Sequence, residues 1–477
     1  MNPPSSPESV LSGHRRALTI GLLMAVTLVA FEALAVATVM PTVEEDLGGL
    51  ALYGWAFSGF LLASIVGITW AGGQADRHGP ARPLAIGMTL FGIGLLIAGL
   101  APSMLVLVIG RVVQGLGAGA LPAIAYVALG RGYPEELRPR MLALLASAWV
   151  VPGLAGPAIS GAIAEYVSWR GAFLLFVPTI PLMAALALPP LFRMGPPGGE
   201  IAPSRVPAAV RLALGAGLAL GGVASGNALI GIPLVVFGVG AAVPSLRLLL
   251  PPGTFRASPG LPAAVAGNGF LNLCFFGAEA FVPYLLTTHR GYSSFLAGLA
   301  LTGSTLSWAA GSWLQERLFR HSPRPWLAAA GALIVSLAIA MVPLALVEDV
   351  PGAWVALAWT AGGFGMGVAY PMFSLELLAS SPPGREGEAS ASMKLHETLS
   401  AAAGVGIAGG IVSAGDAGGW AATSLALVFL LAAAAGILTA AIALRLTARA
   451  PAPVDAPTAS MAAASRPPNV PHLSERS

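Results

Sequence analysis

The sequence predicts an all-α polytopic membrane protein with 14 transmembrane helices, and three observations carry that prediction. Apolar residues fill 56% of the 477 positions and charged residues only 9%, against roughly 25% charged in ordinary globular chains. No soluble fold has interior enough for that much hydrocarbon. Runs long enough to cross a bilayer recur from residue 17 to residue 445. The basic residues also alternate from loop to loop, as they do in a chain that crosses a membrane repeatedly.

A span needs about 20 apolar residues to cover about 30 Å at 1.5 Å per residue. Broken at Pro, Gly and charge clusters, the chain offers six runs first, at 17–41, 53–73, 83–101, 104–130, 141–165 and 171–192. The first is too long for the apolar part of a cleavable signal peptide, and further spans follow it. A weaker pair stands at 208–225 and 228–249. Its flanks, Arg193 to Arg211 and Arg247 to Arg256, are both basic, so they share a side and the pair crosses twice or not at all. Six more runs lie at 262–288, 294–315, 325–347, 353–379, 396–414 and 419–445. The organisation expected is a tail at 1–16, a bundle at 17–192, two extra helices with linkers at 193–261, a second bundle at 262–445 and a tail at 446–477. The ends, 1–13 and 450–477, are rich in Pro, Ala and Ser without helical periodicity and are expected to be disordered.

Orientation follows from charge. With the N-terminus inside, 21 of the 24 basic residues fall on the cytoplasmic side. Glu44, Glu45, Asp46, Glu348, Asp349 and Asp416 collect on the other. The positive-inside rule then places both termini on the cytoplasmic side, and the plasma (inner) membrane of a bacterium is the location expected.

The same composition excludes several chemistries. Cys274 is the single cysteine, so no intramolecular disulfide forms and no thiol cluster binds metal. The single lysine, Lys394, stands between Met393 and Leu395, so there is no phosphate-binding Gly-Lys-Ser/Thr loop. Uphill work must draw on an ion gradient or another subunit. His396-Glu397 opens like a zinc-peptidase helix, but Ser400 occupies the second histidine position. The basic residues are scattered over loops, which does not suit nucleic acid. We therefore expect no enzyme, no metal and no cofactor beyond a proton gradient.

Four motifs carry more specific information. The loop after the second span reads Gly72-x-x-x-Asp76-Arg77-x-Gly79-x-x-Arg82; small glycines admit close helix packing, and the charges can latch a neighbouring helix end. The fourth span contains Arg111-x-x-Gln114-Gly115-x-Gly117-x-Gly119. An arginine in a span costs several kcal/mol unless paired or watered, so Arg111 implies a polar interior. The fifth span carries Gly153-x-x-Gly156-Pro157-x-x-Ser160-Gly161, and Trp169-Arg170-x-x-Phe173-x-x-Phe176-x-Pro178 follows it. Gly311 to Arg317 echoes the first loop faintly, with Gln315 where Asp76 stands.

Together these motifs resemble the major facilitator superfamily, and within it the 14-span drug/proton antiporters. The resemblance covers 17–445 in topology and is sharp over 53–178. Ser160 and Phe176 depart from the family pattern, which has Gly and Asn there. The resemblance implies a major facilitator fold, two six-helix bundles plus two additional helices, rocking about a central cavity. It also implies that Asp76, Arg77 and Arg82 dock cytoplasmic helix ends in one conformation, and that Gly156, Pro157 and Gly161 shape the interface between the repeats.

Depth estimates gather three ionisable groups. Glu32 lies roughly 13 Å below Pro41, Arg111 roughly 10 Å below Met104 and Glu279 roughly 13 Å below Thr288, at 1.5 Å per residue. Asn268, Asn272 and Glu279 share one stripe of the helix that is the pseudo-equivalent of the first. Desolvation favours a neutral carboxyl and a nearby cation favours an ionised one; a proton carrier needs both. The site expected comprises Glu32, Arg111, Gln114, Glu279, Asn268 and Asn272, with Glu376 and Glu397 assigned to gate or surface roles near span ends. The function expected is proton-coupled export of lipophilic, preferentially cationic small molecules by alternating access, performed by a monomer whose partners are its substrate, protons and the bilayer. A lipid or metabolite exporter on the same fold, or a non-transporting receptor, is the alternative.

Overall fold

The computed structural model describes residues 10–11, 15–196, 204–319, 322–382 and 386–447. The disorder expected of the tails therefore falls almost wholly outside the described residues. Among them every regular element is helical.

The first half comprises α1 (Arg15–Leu47), α2 (Tyr53–His78), α3 (Ala81–Gly99), α4 (Met104–Gly132), α5 (Arg138–Ser147), α6 (Val150–Tyr166), α7 (Gly171–Leu174) and α8 (Thr179–Phe192). Next come α9 (Val206–Ala224) and α10 (Ala228–Leu249). The second half holds α11 (Leu261–Glu279), α12 (Val282–Tyr284), α13 (Ser294–Leu318), α14 (Arg324–Met341), α15 (Ala353–Ser380), α16 (Glu386–Ala417) and α17 (Ala421–Ala443). Among the described residues, seventeen helices thus make 14 membrane-crossing units, because three units are broken. Each break has a proline just past it, and proline cannot donate to the carbonyl four residues back. Pro152 fails Ala148 between α5 and α6, Pro178 fails Leu174 between α7 and α8, and Pro283 fails Glu279 between α11 and α12.

Among the described residues, eleven helical stretches are long and apolar enough to cross a bilayer. The other units are α6, which is short once severed from α5, and α13 and α15, whose Gly, Ser, Thr and Trp content dilutes their hydropathy. All three lie where helices meet helices. The hairpin α9–α10 turns at Gly226 (φ 63°), and Asn227 caps α10 by accepting the Leu229 N–H at 2.9 Å. Its outer face exposes Leu229, Val236 and Phe237 to what would be lipid.

The two halves repeat one packing plan. In the first, α1 packs on α6 and α8, α2 on α4, and α3 on α4 and α8; in the second, α11 packs on α16 and α17, α13 on α15, and α14 on α15 and α17. A short sequence echo underlies the repeat. Gly115, Gly117 and Gly119 of α4 match Gly363, Gly365 and Gly367 of α15. A Cβ on Gly115 or Gly119 would strike the Phe60 or Ser64 carbonyl of α2, and one on Gly363 or Gly367 would strike the Ser304 or Trp308 carbonyl of α13. Glycine is what lets these helix backbones touch.

The bundles meet along α6–α13 and α2–α16, and α9 lies against both α2 and α16. Hydrogen bonds between them gather toward the acidic end of the molecule, the end of Glu44, Asp46 and Asp416. There Thr42 and Ser294 share a 2.8 Å hydroxyl contact, the Phe295 N–H donates to Glu165 at 3.3 Å, and the Tyr53 hydroxyl donates to the Ala280 carbonyl at 3.0 Å. Toward the opposite, basic end, Tyr126 of α4 and Lys394 of α16 are more than half exposed. These exposures, with the inter-bundle hydrogen bonds gathered at the other end, fit a cleft between the bundles that opens at the basic end.

Candidate functional site

Arg111 is buried in the first bundle, with its side chain 2% exposed. Three helices meet its needs. Its Nη1 ion-pairs with Glu32 Oε1 of α1 and donates to Gln114 Oε1 at 2.7 Å, while its Nε donates to the Ala56 carbonyl of α2 at 2.9 Å. The Phe60 ring lies 4.1 Å from the guanidinium carbon, a cation–π contact. The spacing of the α4 motif makes this possible: Arg111 and Gln114 share one face, and the glycines that follow draw α4 onto α2, bringing Ala56 and Phe60 into reach.

Two atoms of this site stand without a partner. Glu32 Oε2 and Gln114 Nε2 are buried and make no hydrogen bond among the described residues. Burying a polar atom unsatisfied costs about 1–3 kcal/mol, so the site holds unused hydrogen-bonding capacity beside an ion pair.

The remaining predicted residues do not join it. Glu279 is partly exposed at the break where α11 ends, and among the described residues its carboxylate makes no hydrogen bond or ion pair. The position pseudo-equivalent to Arg111 in the Gly-x-Gly-x-Gly alignment is Trp359. It is fully buried and stacks on Phe275 of α11, centroids 4.7 Å apart and planes 21° apart. An aromatic stack thus replaces the ion pair in the second half, and Glu279 lies one helical turn beyond it. Asn268 and Asn272 are buried in α11, each with a side-chain carbonyl oxygen unpartnered. Asn272 donates to the Asn268 carbonyl at 2.7 Å.

The loop motif sits at the basic end. Gly79 terminates α2 with φ 82°, against the Gly195 carbonyl that Arg131 also holds at 2.8 Å. Gly72 faces open space, and Asp76, Arg77 and Arg82 are exposed; among the described residues Asp76 and Arg77 make no hydrogen bond or ion pair. The α6 motif faces two ways. Gly153 packs on Thr305, the Pro157 carbonyl abuts Gly298 and Gly161 lies on Ser294, all across α13, whereas Gly156 faces Phe31 and Leu34 of α1.

Two features escaped the sequence reading. Asp46 accepts from Trp169 Nε1 at 2.9 Å and from Arg170 at 3.0 Å, tying the end of α1 to the loop before α7. Glu397, read as lying near a span end, is 12% exposed and lies well inside α16, which begins ten residues before the span the hydropathy marked. It accepts from Lys394 at 2.6 Å, Tyr370 at 3.0 Å and Asn268 at 3.4 Å. That Lys394 is the single lysine was the available signal. Glu376 is a clamp at the basic end, paired with Arg324 at 3.4 Å and bonded to Ser380 and Thr447.

Two pseudo-equivalent helical bundles around a cleft, with a buried ion pair in one of them, describe a membrane transporter. The profile of the Major Facilitator Superfamily matches residues 21–405, and the chain belongs to that superfamily. A probable multidrug-efflux transporter of Mycobacterium tuberculosis is 28% identical over 441 residues, covering 88% of this chain and 93% of its own. Multidrug resistance protein 3 of Bacillus subtilis is 30% identical over 161 residues, 34% of this chain and 31% of its own. A D-xylose–proton symporter shares the fold with a TM-score of 0.64 at 17% identity, over 90% of this chain and 97% of that one. An inward-facing, occupied bacterial homologue of the human lysosomal transporter Spinster does so at 0.61 and 17%, over 91% and 96%.

Proposed function

We propose that the protein exports lipophilic, cationic small molecules in exchange for protons, by alternating access, with Glu32 as the proton carrier. The observation that carries the reading is the sealed Glu32–Arg111 pair and its unpartnered Oε2. A carboxylate shut away from water beside one cation has two stable forms, ionised and paired or protonated and neutral. Oε2 is the atom free to take the proton. Protonation cancels the attraction that holds α1 to α4, and Arg111 keeps its bonds to Gln114 and Ala56. The change in helix contact is what would favour one tilt of the bundles over the other.

The distribution of basic residues supports a cytoplasmic placement of the end at which the cleft opens. In that orientation the structure is inward-facing, ready to receive cargo from the cell. The exposed Asp76 and Arg77 fit this state, since their docking partners would come together only when the basic end closes. The multidrug-efflux name of the full-length mycobacterial relative supports the direction of transport and the breadth of cargo.

Proteoliposomes with an imposed pH gradient test the reading. Gradient-driven movement of tetraphenylphosphonium is expected in the wild type and is expected to vanish in Glu32→Gln, with the variant still folded and inserted. Undiminished gradient-driven transport by Glu32→Gln would remove Glu32 from the coupling. Movement of lipids but of no organic cation would replace the cargo assignment.

A further inference from the structure

The second bundle holds a charged cluster that proton coupling leaves unused. Glu397 is mostly buried, yet its partner Lys394 is 56% exposed and lies 2.6 Å away. The carboxylate is further held by the Tyr370 hydroxyl at 3.0 Å and the Asn268 amide at 3.4 Å. Asn268 is itself fully buried in α11, about 10 Å in from Leu261 at 1.5 Å per residue, and its Oδ1 has no partner. The cluster therefore stands within the thickness of the bundle, not at its surface. Lys394 is exposed there because it faces the cleft.

Rings flank the carboxylate. Tyr370 lies 5.8 Å from Trp308, and Trp308 lies 6.4 Å from Phe276, so an aromatic wall leads away from Glu397. Tyr126 of the first bundle is exposed to the same cleft and lies within electrostatic range of both Tyr370 and Lys394. A buried carboxylate beside aromatic faces is the chemistry that recognises an organic cation: the charge is countered by the acid and the apolar body by the rings.

From this geometry we propose that Glu397 is the substrate-binding anion, that Tyr370 and Trp308 receive the apolar body of the cargo, and that Lys394 is a built-in competitor occupying the site until an organic cation displaces it. Lys394 can leave because its side chain is 56% exposed, whereas the Tyr370 and Asn268 hydrogen bonds keep Glu397 in place. Swinging out, it returns to solvent in the cleft and gives Glu397 Oε1 to the incoming cation. The proposal takes from the export reading only the positive charge of the cargo. It places cargo and proton on acids of different bundles.

Equilibrium binding of tritiated tetraphenylphosphonium to the purified full-length protein, at one pH and without a gradient, tests the assignment. Lys394→Met should tighten binding about tenfold, and Lys394→Arg should leave it at the wild-type value. Glu397→Gln should weaken binding about tenfold, and the double variant Lys394→Met with Glu397→Gln should match Glu397→Gln alone. Binding of neutral triphenylphosphine oxide should be the same in all variants. Thermal unfolding without ligand checks that each is folded, and because Lys394 is exposed its variants keep the test decisive if Glu397→Gln does not fold. Unchanged or weaker binding in Lys394→Met, or wild-type binding in folded Glu397→Gln, would overturn the proposal. Because no proton gradient is applied, either result leaves the Glu32 assignment to its own test.

Discussion

The same glycine ladder organises α4 and α15, yet what each ladder carries one turn earlier is opposite in character. In the first bundle Arg111 points to Glu32, an ion pair sealed from water; in the second, Trp359 stacks on Phe275. The second bundle does hold a carboxylate–cation pair, Glu397–Lys394, but on another helix and open to the cleft on the cation's side. The repeat has conserved its packing while the charge has moved. A sealed pair can exchange little larger than a proton, whereas a pair with one exposed member can exchange partners. On the proposed reading, the asymmetry would separate a proton site from a cargo site on a symmetric scaffold.

Removing the cation from each pair is the sharpest way to break this comparison. Arg111→Ala strands Glu32 and Gln114 in the interior, and losing one partner of a buried pair costs about 3–5 kcal/mol. Lys394→Met removes a half-exposed cation and leaves Glu397 its Tyr370 and Asn268 hydrogen bonds, so its cost should be smaller. Denaturant unfolding of the two purified variants measures both, and equal losses would erase the distinction between sealed and open pairs. The glycine ladder gives an intermediate effect. Gly119→Val drives a side chain into the Ser64 carbonyl of α2 and should destabilise by about 1–3 kcal/mol, the usual cost of overpacking. Gly367→Val should match it against the Trp308 carbonyl of α13; a loss confined to one bundle would deny the equivalence of the two ladders.

Much of this was legible in the sequence, for physical reasons. Arg111 stands out because an arginine in an apolar run must be solvated by something, and Glu32 at matching depth was the available acid. The spans were legible because hydrocarbon thickness sets a minimum length. Glu397 was missed because hydropathy marks where a helix becomes apolar, not where it begins; α16 starts ten residues earlier, at Glu386, and carries Lys394 and Glu397 deep inside. What packs around Glu279 was not legible for a related reason. Depth counted along the chain set it level with Glu32, but facing is decided by helix packing, and Phe275 is the α11 residue that stacks on the counterpart of Arg111. The Asp46–Trp169–Arg170 staple joins residues more than a hundred positions apart, and no local pattern announces it.

The central claim is that Glu32 gives up a proton when cargo binds elsewhere in the same molecule. Adding tetraphenylphosphonium to the purified protein in weakly buffered solution, and reading proton release with an indicator dye, measures that directly. The account predicts release by the wild type and none by Glu32→Gln, with Glu32→Gln still binding the cation. Equal release by both proteins would contradict it.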